Sequence, residues 1–372
     1  MKFSCEKAQL LSAITVTSKV ASAKSAVPAL EGLLLEASDH LKISGYDLKT
    51  GIKTEIPAEV LAAGAIVLNA RLLGEIIRRL PSDIISFTVG DDHMATITCG
   101  LSKFNILGTP AEDYPELPSV DEENAITLPQ STLKHMISET IFAVSDNESR
   151  PIHTGSLFEL EGSTLTIVSV DGYRLARRQE KLEEKTDMSD CSFVVPGSAL
   201  HEIEKIASDS EDLVKITLGA KHILFAIGAT VVISRRLEGE FLNYRQAIPQ
   251  NNKTHLTVEK RTLIEAVDRV SLIINEKLKS PVRCVFSDGK VSLFTATALG
   301  KASDECKIIG DGEELEIGFN NKYLLDALKA TPADTVTISL GTSVSPCVIS
   351  PTDESESFTY LVLPVRLKTG DS

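Results

Sequence analysis

Phe3-Ser4-Cys5-Glu6-Lys7-Ala8-Gln9-Leu10-Leu11 is matched by Ile126-Thr127-Leu128-Pro129-Gln130-Ser131-Thr132-Leu133-Lys134 and by Leu256-Thr257-Val258-Glu259-Lys260-Arg261-Thr262-Leu263-Ile264. Each predicts a short strand running into a helix. The starts, at 3, 126 and 256, are 123 and 130 residues apart. A second strand-to-helix junction recurs at Leu68-Asn69-Ala70-Arg71, Val195-Pro196-Gly197-Ser198 and Phe319-Asn320-Asn321-Lys322, with separations of 127 and 124 residues. Identity between the three copies is low. What recurs is the order of elements and the pattern of burial, the mark of duplicated domains rather than of a solenoid, whose repeats are far shorter.

Within a repeat the first helix carries apolar residues at helical spacing: Leu10, Leu11 and Ile14, then Leu133, Met136 and Ile137, then Leu263, Val267 and Val270. Strand pairs follow, Gly32 to Ala37 with Leu41 to Ser44, Ser156 to Leu160 with Thr164 to Val168, and Val282 to Ser287 with Val291 to Thr295. Their turns hold Ser38-Asp39, Glu161-Gly162-Ser163 and Asp288-Gly289, residues suited to tight hairpins. A second helix and further strands close each copy. The fold class expected is α+β: three tandem similar domains, each with two helices packed on an antiparallel sheet. Turn formers and charge collect at Pro110 to Asn124 and from Glu240 to Asn252, which sets the domains at 1–120, 126–245 and 246–367, with a short polar tail at 368–372.

Few functional classes survive a search for chemistry. The chain has no G-x-x-x-x-G-K-[ST] loop, no G-x-G-x-x-G after a strand, no H-E-x-x-H and no G-x-S-x-G elbow. Gly90-Asp91-Asp92-His93 offers metal-ligand residue types, but it lies between two alternating segments and reads as a hairpin turn. The six cysteines are scattered without a C-x-x-C pair, which points to reduced thiols and away from zinc. Apolar runs such as Leu33-Leu34-Leu35 are too short to span a bilayer, and Met1-Lys2-Phe3-Ser4 leads directly into a repeat. A cytoplasmic protein without catalytic residues, metal or cofactor is expected.

Charge argues against ordinary DNA binding. With 38 Lys and Arg against 52 Asp and Glu, the formal charge of −14 repels phosphate at long range. The helices carry Arg71, Arg78, Arg79, Lys134, Lys205, Arg261, Lys322 and Lys329, but Glu139, Glu204, Glu265 and Asp326 interrupt any basic stripe.

Pro28-x-Leu30, Gly45-Tyr46-Asp47-Leu48, Ser102-Lys103-Phe104, Asp113-Tyr114-Pro115-Glu116-Leu117 and Asp171-Gly172-Tyr173-Arg174-Leu175-Ala176 stand in one order. Gly239-Glu240-Phe241, Tyr244-Arg245, Asn275-Glu276-Lys277, Ile317-Gly318-Phe319-Asn320 and Leu363-Pro364-Val365-Arg366-Leu367 continue it. In these landmarks the chain resembles the beta sliding clamps of bacterial DNA polymerase III, over essentially its whole length. The resemblance implies a DNA clamp fold and a head-to-tail homodimeric ring of six similar domains. Such a ring would encircle duplex DNA without sequence preference and act as a processivity factor rather than an enzyme. It would tether the replicative polymerase, the clamp loader, translesion polymerases, ligase and mismatch-repair proteins. A topological tether needs no strong phosphate contact, which makes an acidic exterior with scattered inward Lys and Arg intelligible.

By the same resemblance Lys24, Arg71, Asn147, Arg150 and Lys279 face DNA, with weaker contact at Gly197-Ser198, where relatives can carry basic residues. Phe104 and Ile106 of one copy would meet Leu272 and Ile273 of the other. A partner-peptide pocket would be walled by His153, Val170, Gly172, Tyr173, Arg174, Leu175, Leu242 and Ala247. Asn320, Tyr323, Pro346, Val362, Leu363, Pro364, Val365, Arg366 and Leu367 complete it. Mostly apolar walls suit short peptides ending in Leu and Phe side chains. His153 and Gln246 stand where relatives often carry an aliphatic residue and an Arg, and Lys368 to Ser372 extend past the usual end. Two readings outside the family are a DNA-independent scaffold ring and a metal-dependent nuclease using Asp47, Asp91, Asp92 and Asp171.

Overall fold

The computed structural model describes residues 1–22, 24–120, 125–183, 190–275, 280–287, 289–310, 313–353 and 357–367. Among them lie helices α1 (Lys7–Thr17), α2 (Ala70–Arg79), α3 (Gln130–Ser138), α4 (Gly197–Ile206), the short α5 (Tyr244–Ala247), α6 (Lys260–Ser271) and α7 (Asn321–Ala330). Every described strand pairing is antiparallel. The second helices of the first and third repeats start on an asparagine. Asn69 accepts the Leu72 N–H at 3.0 Å and Asn320 accepts the Lys322 N–H at 3.0 Å, satisfying donors that the first turn leaves free.

Two compact units divide the chain, and neither coincides with a single repeat. One includes Met1–Lys134 and Ser198–Arg236. Its five-stranded sheet runs Glu59–Ala62, Lys2–Glu6, Ile84–Val89, Met94–Cys99, Ser102–Leu107. Its eight-stranded sheet runs Ala125–Pro129, Leu213–Leu218, His222–Ile227, Thr230–Arg235, Thr50–Ile56, Leu41–Tyr46, Gly32–Ala37, Gly64–Asn69. Leu10 and Ile14 of α1 and Leu73 and Ile77 of α2 are sealed into one core with Leu33, Leu35, Ile43 and the stacked rings of Phe3 and Phe87, 4.7 Å apart. Each such aliphatic side chain contributes about 1.5–3 kcal/mol by leaving water.

The other unit includes His135–Lys185 and Leu237–Ser372. Its eight-stranded sheet runs Cys191–Pro196, Gly155–Glu161, Thr164–Val170, Arg174–Lys181, Phe358–Val362, Cys347–Pro351, Thr335–Leu340, Thr254–Glu259, and a four-stranded sheet runs Gly300–Lys307, Lys290–Thr297, Val282–Ser287, Leu315–Phe319. Residues of α6 and α7, among them Leu263, Val267, Leu324 and Leu328, share a core with Phe319, Phe358 and Tyr360.

The joins between repeats are made by main chain. Thr230–Arg235 of the second repeat pairs with Thr50–Ile56 of the first, from Thr230 opposite Thr54 to Ser234 opposite Thr50. Phe358–Val362 of the third pairs with Arg174–Lys181 of the second, from Val362 opposite Arg174 to Phe358 opposite Arg178. The last strand is therefore interior and stops before Pro364, which has no N–H to give a ladder.

All six cysteines are free. Burial pushes the Cys306 thiol up to about 11, which keeps it protonated and unreactive near neutrality.

Gly45 marks how tightly α1 sits. A Cβ there would lie 2.2 Å from the Thr17 carbonyl oxygen. Gly45→Val should lower stability by about 1–3 kcal/mol, as overpacking does, read as a lower urea midpoint by circular dichroism; an unchanged midpoint would show that the helix end can withdraw freely.

Candidate functional site

The turn between Thr164–Val170 and Arg174–Lys181 is set by Asp171, whose carboxylate accepts the N–H groups of Tyr173 at 2.8 Å and Arg174 at 3.0 Å. Gly172 takes φ +91°, a conformation costly for any side chain. The turn presents two side chains with opposite fates. Tyr173 is 60% exposed and stacks on Tyr323 of α7, with ring centroids 5.8 Å apart. Arg174 is buried.

Burying a guanidinium requires partners on every side, and Arg174 has them. Its Nε donates to Asp171 at 2.9 Å and its Nη1 to Asp326 of α7 at 2.5 Å. The Tyr323 and Phe142 rings flank it, with centroids 4.7 and 5.5 Å from the guanidinium carbon. In the sequence Asp326 reads only as an acid interrupting the helix cations and Phe142 is not singled out; the signal for Asp326 is the three-residue step from Tyr323, which puts both on one face of α7. Around this cluster lies a cavity of about 700 Å³ lined by Tyr173, Arg174, Asn320, Tyr323 and Asn147, with Lys322 and Lys329 at its side.

An apolar floor adjoins the same turn. Val170 and Leu175 pack with Leu157, Val194, Tyr244 and Leu361, and Phe241, Ala247 and Ile248 close around them. Tyr244 is anchored by donating its hydroxyl to Glu159 at 2.6 Å, and Arg245 donates to the same carboxylate at 2.7 Å. His153 stands at the rim with its ring edge-on to Phe241, centroids 5.6 Å apart.

The expected pocket residues divide by accessibility. Tyr173, Leu242 and Leu363 present apolar surface to solvent, and His153, Ala247, Tyr323, Pro346, Pro364, Val365 and Leu367 are half-buried. Val170, Leu175 and Val362 are buried, so they support the wall from behind; Val362 is fully enclosed in the third repeat's core. Asn320 caps α7 as well as lining the cavity. Leu363 donates its N–H to the Tyr173 carbonyl at 2.8 Å, which ties the C-terminal segment to the turn.

Of the expected DNA-facing residues, Lys24, Arg71, Asn147 and Arg150 are exposed, and Lys279 lies outside the described residues, as do the tail 368–372 and the turn residue Asp288. Arg71 pairs with Glu75 at 3.2 Å, one turn along α2. Phe104 is 39% and Leu272 84% exposed, while Ile106 and Ile273 are half-buried. Asp47, Asp92 and Asp171 each accept N–H groups of their own turns, which explains their positions without metal chemistry. Among the described residues no group of three or more His, Cys, Asp or Glu side chains is placed to hold a metal ion. No described helix is long and apolar enough to cross a membrane.

Comparison with known proteins decides between the readings. Residues 1–118, 127–243 and 245–366 match, in turn, the N-terminal, central and C-terminal domain families of the DNA polymerase III beta subunit. The chain is 33% identical to the beta sliding clamp of Bacillus subtilis (strain 168), covering 98% of this chain and 100% of that one. The chain belongs to the beta sliding clamp family. It is 34% identical, over 98% of its length and all of the relative's, to the clamp of Halalkalibacterium halodurans. Its fold superposes on the crystal structure of the Bacillus subtilis clamp with a TM-score of 0.95 at 32% identity, covering 99% of this chain and 100% of that one. Three tandem clamp domains of α+β class are thus present, and the clamp acts as a non-catalytic processivity factor of DNA polymerase III.

Burial, reinforced by the positive charge of Arg150, lowers the His153 pKa below the ordinary histidine value. A base whose folded pKa is depressed stabilises the fold while neutral, and that contribution is lost as pH falls below the unfolded value of about 6.5. NMR titration should place the His153 midpoint below that value, and Arg150→Gln should move it upward; a midpoint at or above the ordinary value would remove the imidazole from this enclosed rim.

Proposed function

We propose that two copies of the chain close head to tail into a ring around duplex DNA, and that the cavity and apolar floor at the Asp171–Arg174 turn capture partner peptides. The observation that carries the ring is the pattern of joins. In both joins within the chain, the last strand of one repeat pairs with the fourth strand of the preceding repeat, the third of the meander that follows its first helix. Applied once more, the rule leaves two strands without such a partner: Ser102–Leu107, last in the first repeat, and Gly300–Lys307, fourth in the third repeat. Both are sheet edges. A second copy supplies the missing partner at each, so two identical heterologous joins close the circle. Phe104 and Ile106 of one copy then meet Leu272 and Ile273 of the other.

Lys24, Arg71, Asn147, Arg150 and Lys279 are assigned to the DNA-facing surface, and the domains to 1–120, 126–245 and 246–367. The pocket holds short extended peptides with Leu and Phe side chains, carried by the replicative polymerase, the clamp loader, translesion polymerases, ligase and mismatch-repair proteins, in the cytoplasm. Apolar burial supplies the affinity, and exposed Tyr173, Leu242 and Leu363 are where it would be gained.

Two measurements test this. Leu272→Asp should convert dimers to monomers in analytical ultracentrifugation, because a charge would have to be buried in each join; persisting dimers would reject the proposed interface. After loading by a clamp loader, the wild-type protein should be retained on circular plasmid and lost on linearisation, whereas equal retention on both would mean direct rather than topological binding.

A further inference from the structure

In each repeat the chain, after its last strand, returns to bridge the strand that feeds the second helix. Thr109 bridges Val67, Leu237 bridges Val194, and Val365 bridges Gly318. The three bridged residues are equivalent, each standing two positions before the residue that immediately precedes its helix: Asn69, Pro196 and Asn320. Two are valines, 3% and 4% exposed, packed into the apolar clusters beside them. The third is glycine. A Cβ on Gly318 would lie 2.6 Å from Leu367 Cδ2 and 2.9 Å from the Val365 carbonyl oxygen. Leu367 therefore occupies the space that the other two repeats fill with a valine.

We propose that Gly318 is a positioning residue for partner-peptide binding: the missing side chain forms a socket for Leu367 and so docks the C-terminal strap, Leu363 to Leu367, against the pocket. This rests on the peptide-pocket reading given above. The strap is held at few points. Val365 donates to the Gly318 carbonyl at 2.8 Å, Leu363 donates to the Tyr173 carbonyl at 2.8 Å, and Leu367 fills the socket. Backbone bridges recur in every repeat and cannot by themselves distinguish this strap from the linkers. The first two repeats continue past their bridges into linkers anchored by buried Tyr114 and Tyr244, an anchor that the C-terminal segment lacks within its described residues. The Leu367 socket takes over that role, fixing the strap whose Leu363 faces the same turn as Tyr173.

The test compares wild type, Gly318→Val, Leu367→Ala and the double variant in the full-length protein. Amide hydrogen exchange at Leu363 and Val365 and binding of a fluorescein-labelled pentapeptide ending in Leu-Phe are measured together. Gly318→Val restores the residue that the equivalent strand positions already carry, so the sheet should form and dimerisation should be unaffected. It is expected to expel Leu367, speeding exchange at both amides and weakening the peptide by about tenfold, equivalent to about 1.4 kcal/mol. Leu367→Ala, which introduces no clash, should act in the same direction to a smaller extent. Adding Leu367→Ala to Gly318→Val should recover part of the lost affinity, since the expelled side chain is gone. Unchanged exchange and affinity in both single variants overturn the inference, as does a double variant that loses affinity additively. Failure of the wild type to bind the peptide, with exchange altered in Gly318→Val, would instead overturn the pocket reading and leave the socket standing.

Discussion

A strand at the edge of a sheet holds out N–H and C=O groups that water must satisfy, or another strand will. The architecture follows from where those groups go. The meander of one repeat leaves its third hairpin strand open on one side, and the last strand of the next repeat fills it: Ser234 opposite Thr50 in one case, Phe358 opposite Arg178 in the other. Consecutive repeats are thereby welded by main chain as well as by side-chain packing, and the eight-stranded sheets ignore the boundaries that the duplications impose. This is why the compact units split the central repeat between them. Main-chain pairing is insensitive to side-chain identity, so the joins persist although the repeats have diverged.

The electrostatics follow a similar economy. Arg71 with Glu75 and Arg261 with Glu265 are pairs one helical turn apart, with their guanidinium groups largely in solvent. Exposed pairs of this kind add only about 0.3–0.5 kcal/mol to a helix. Their larger consequence is to temper the positive field that helix cations would otherwise project. A protein that binds DNA by contact cannot tolerate such neutralisation at a formal charge of −14, whereas one that holds DNA by enclosure can.

How much of this could be read from the chain follows from what each signal encodes. Repeat order, helices and hairpins were visible because apolar periodicity is local: Leu10 and Ile14, Leu263 and Val267 all point inward as their spacing predicts. The cross-repeat ladders were not, because a strand's alternation says which face is buried and nothing about which strand lies beside it. In the second linker, turn formers suggested irregular chain, yet Tyr244–Ala247 forms a helical turn fixed by Tyr244 on Glu159, 85 positions away in sequence. The pocket shows the same limit. The Asp171-Gly172-Tyr173-Arg174 turn is encoded locally, in an Asx acceptor and a glycine of positive φ, but the fate of Arg174 depends on Asp326 and Phe142, which no local pattern joins to it.

That cluster also accounts for a surface combining rigidity with exposed apolar area. Tyr173 would be free to rotate on a bare turn, but its neighbour Arg174 is held by two carboxylates and two rings, and Tyr323 serves both residues, one through its charge and one through its face. Breaking a buried, hydrogen-bonded cation costs far more than moving an exposed ring, so the turn stays fixed while Tyr173 can yield. For the proposed partner peptide, such a surface offers a backbone already arranged, so that binding would displace only side chains and water. The ordering cost that weakens flexible sites has been met in the folding of the second and third repeats together, through the same strand pairing that joins them.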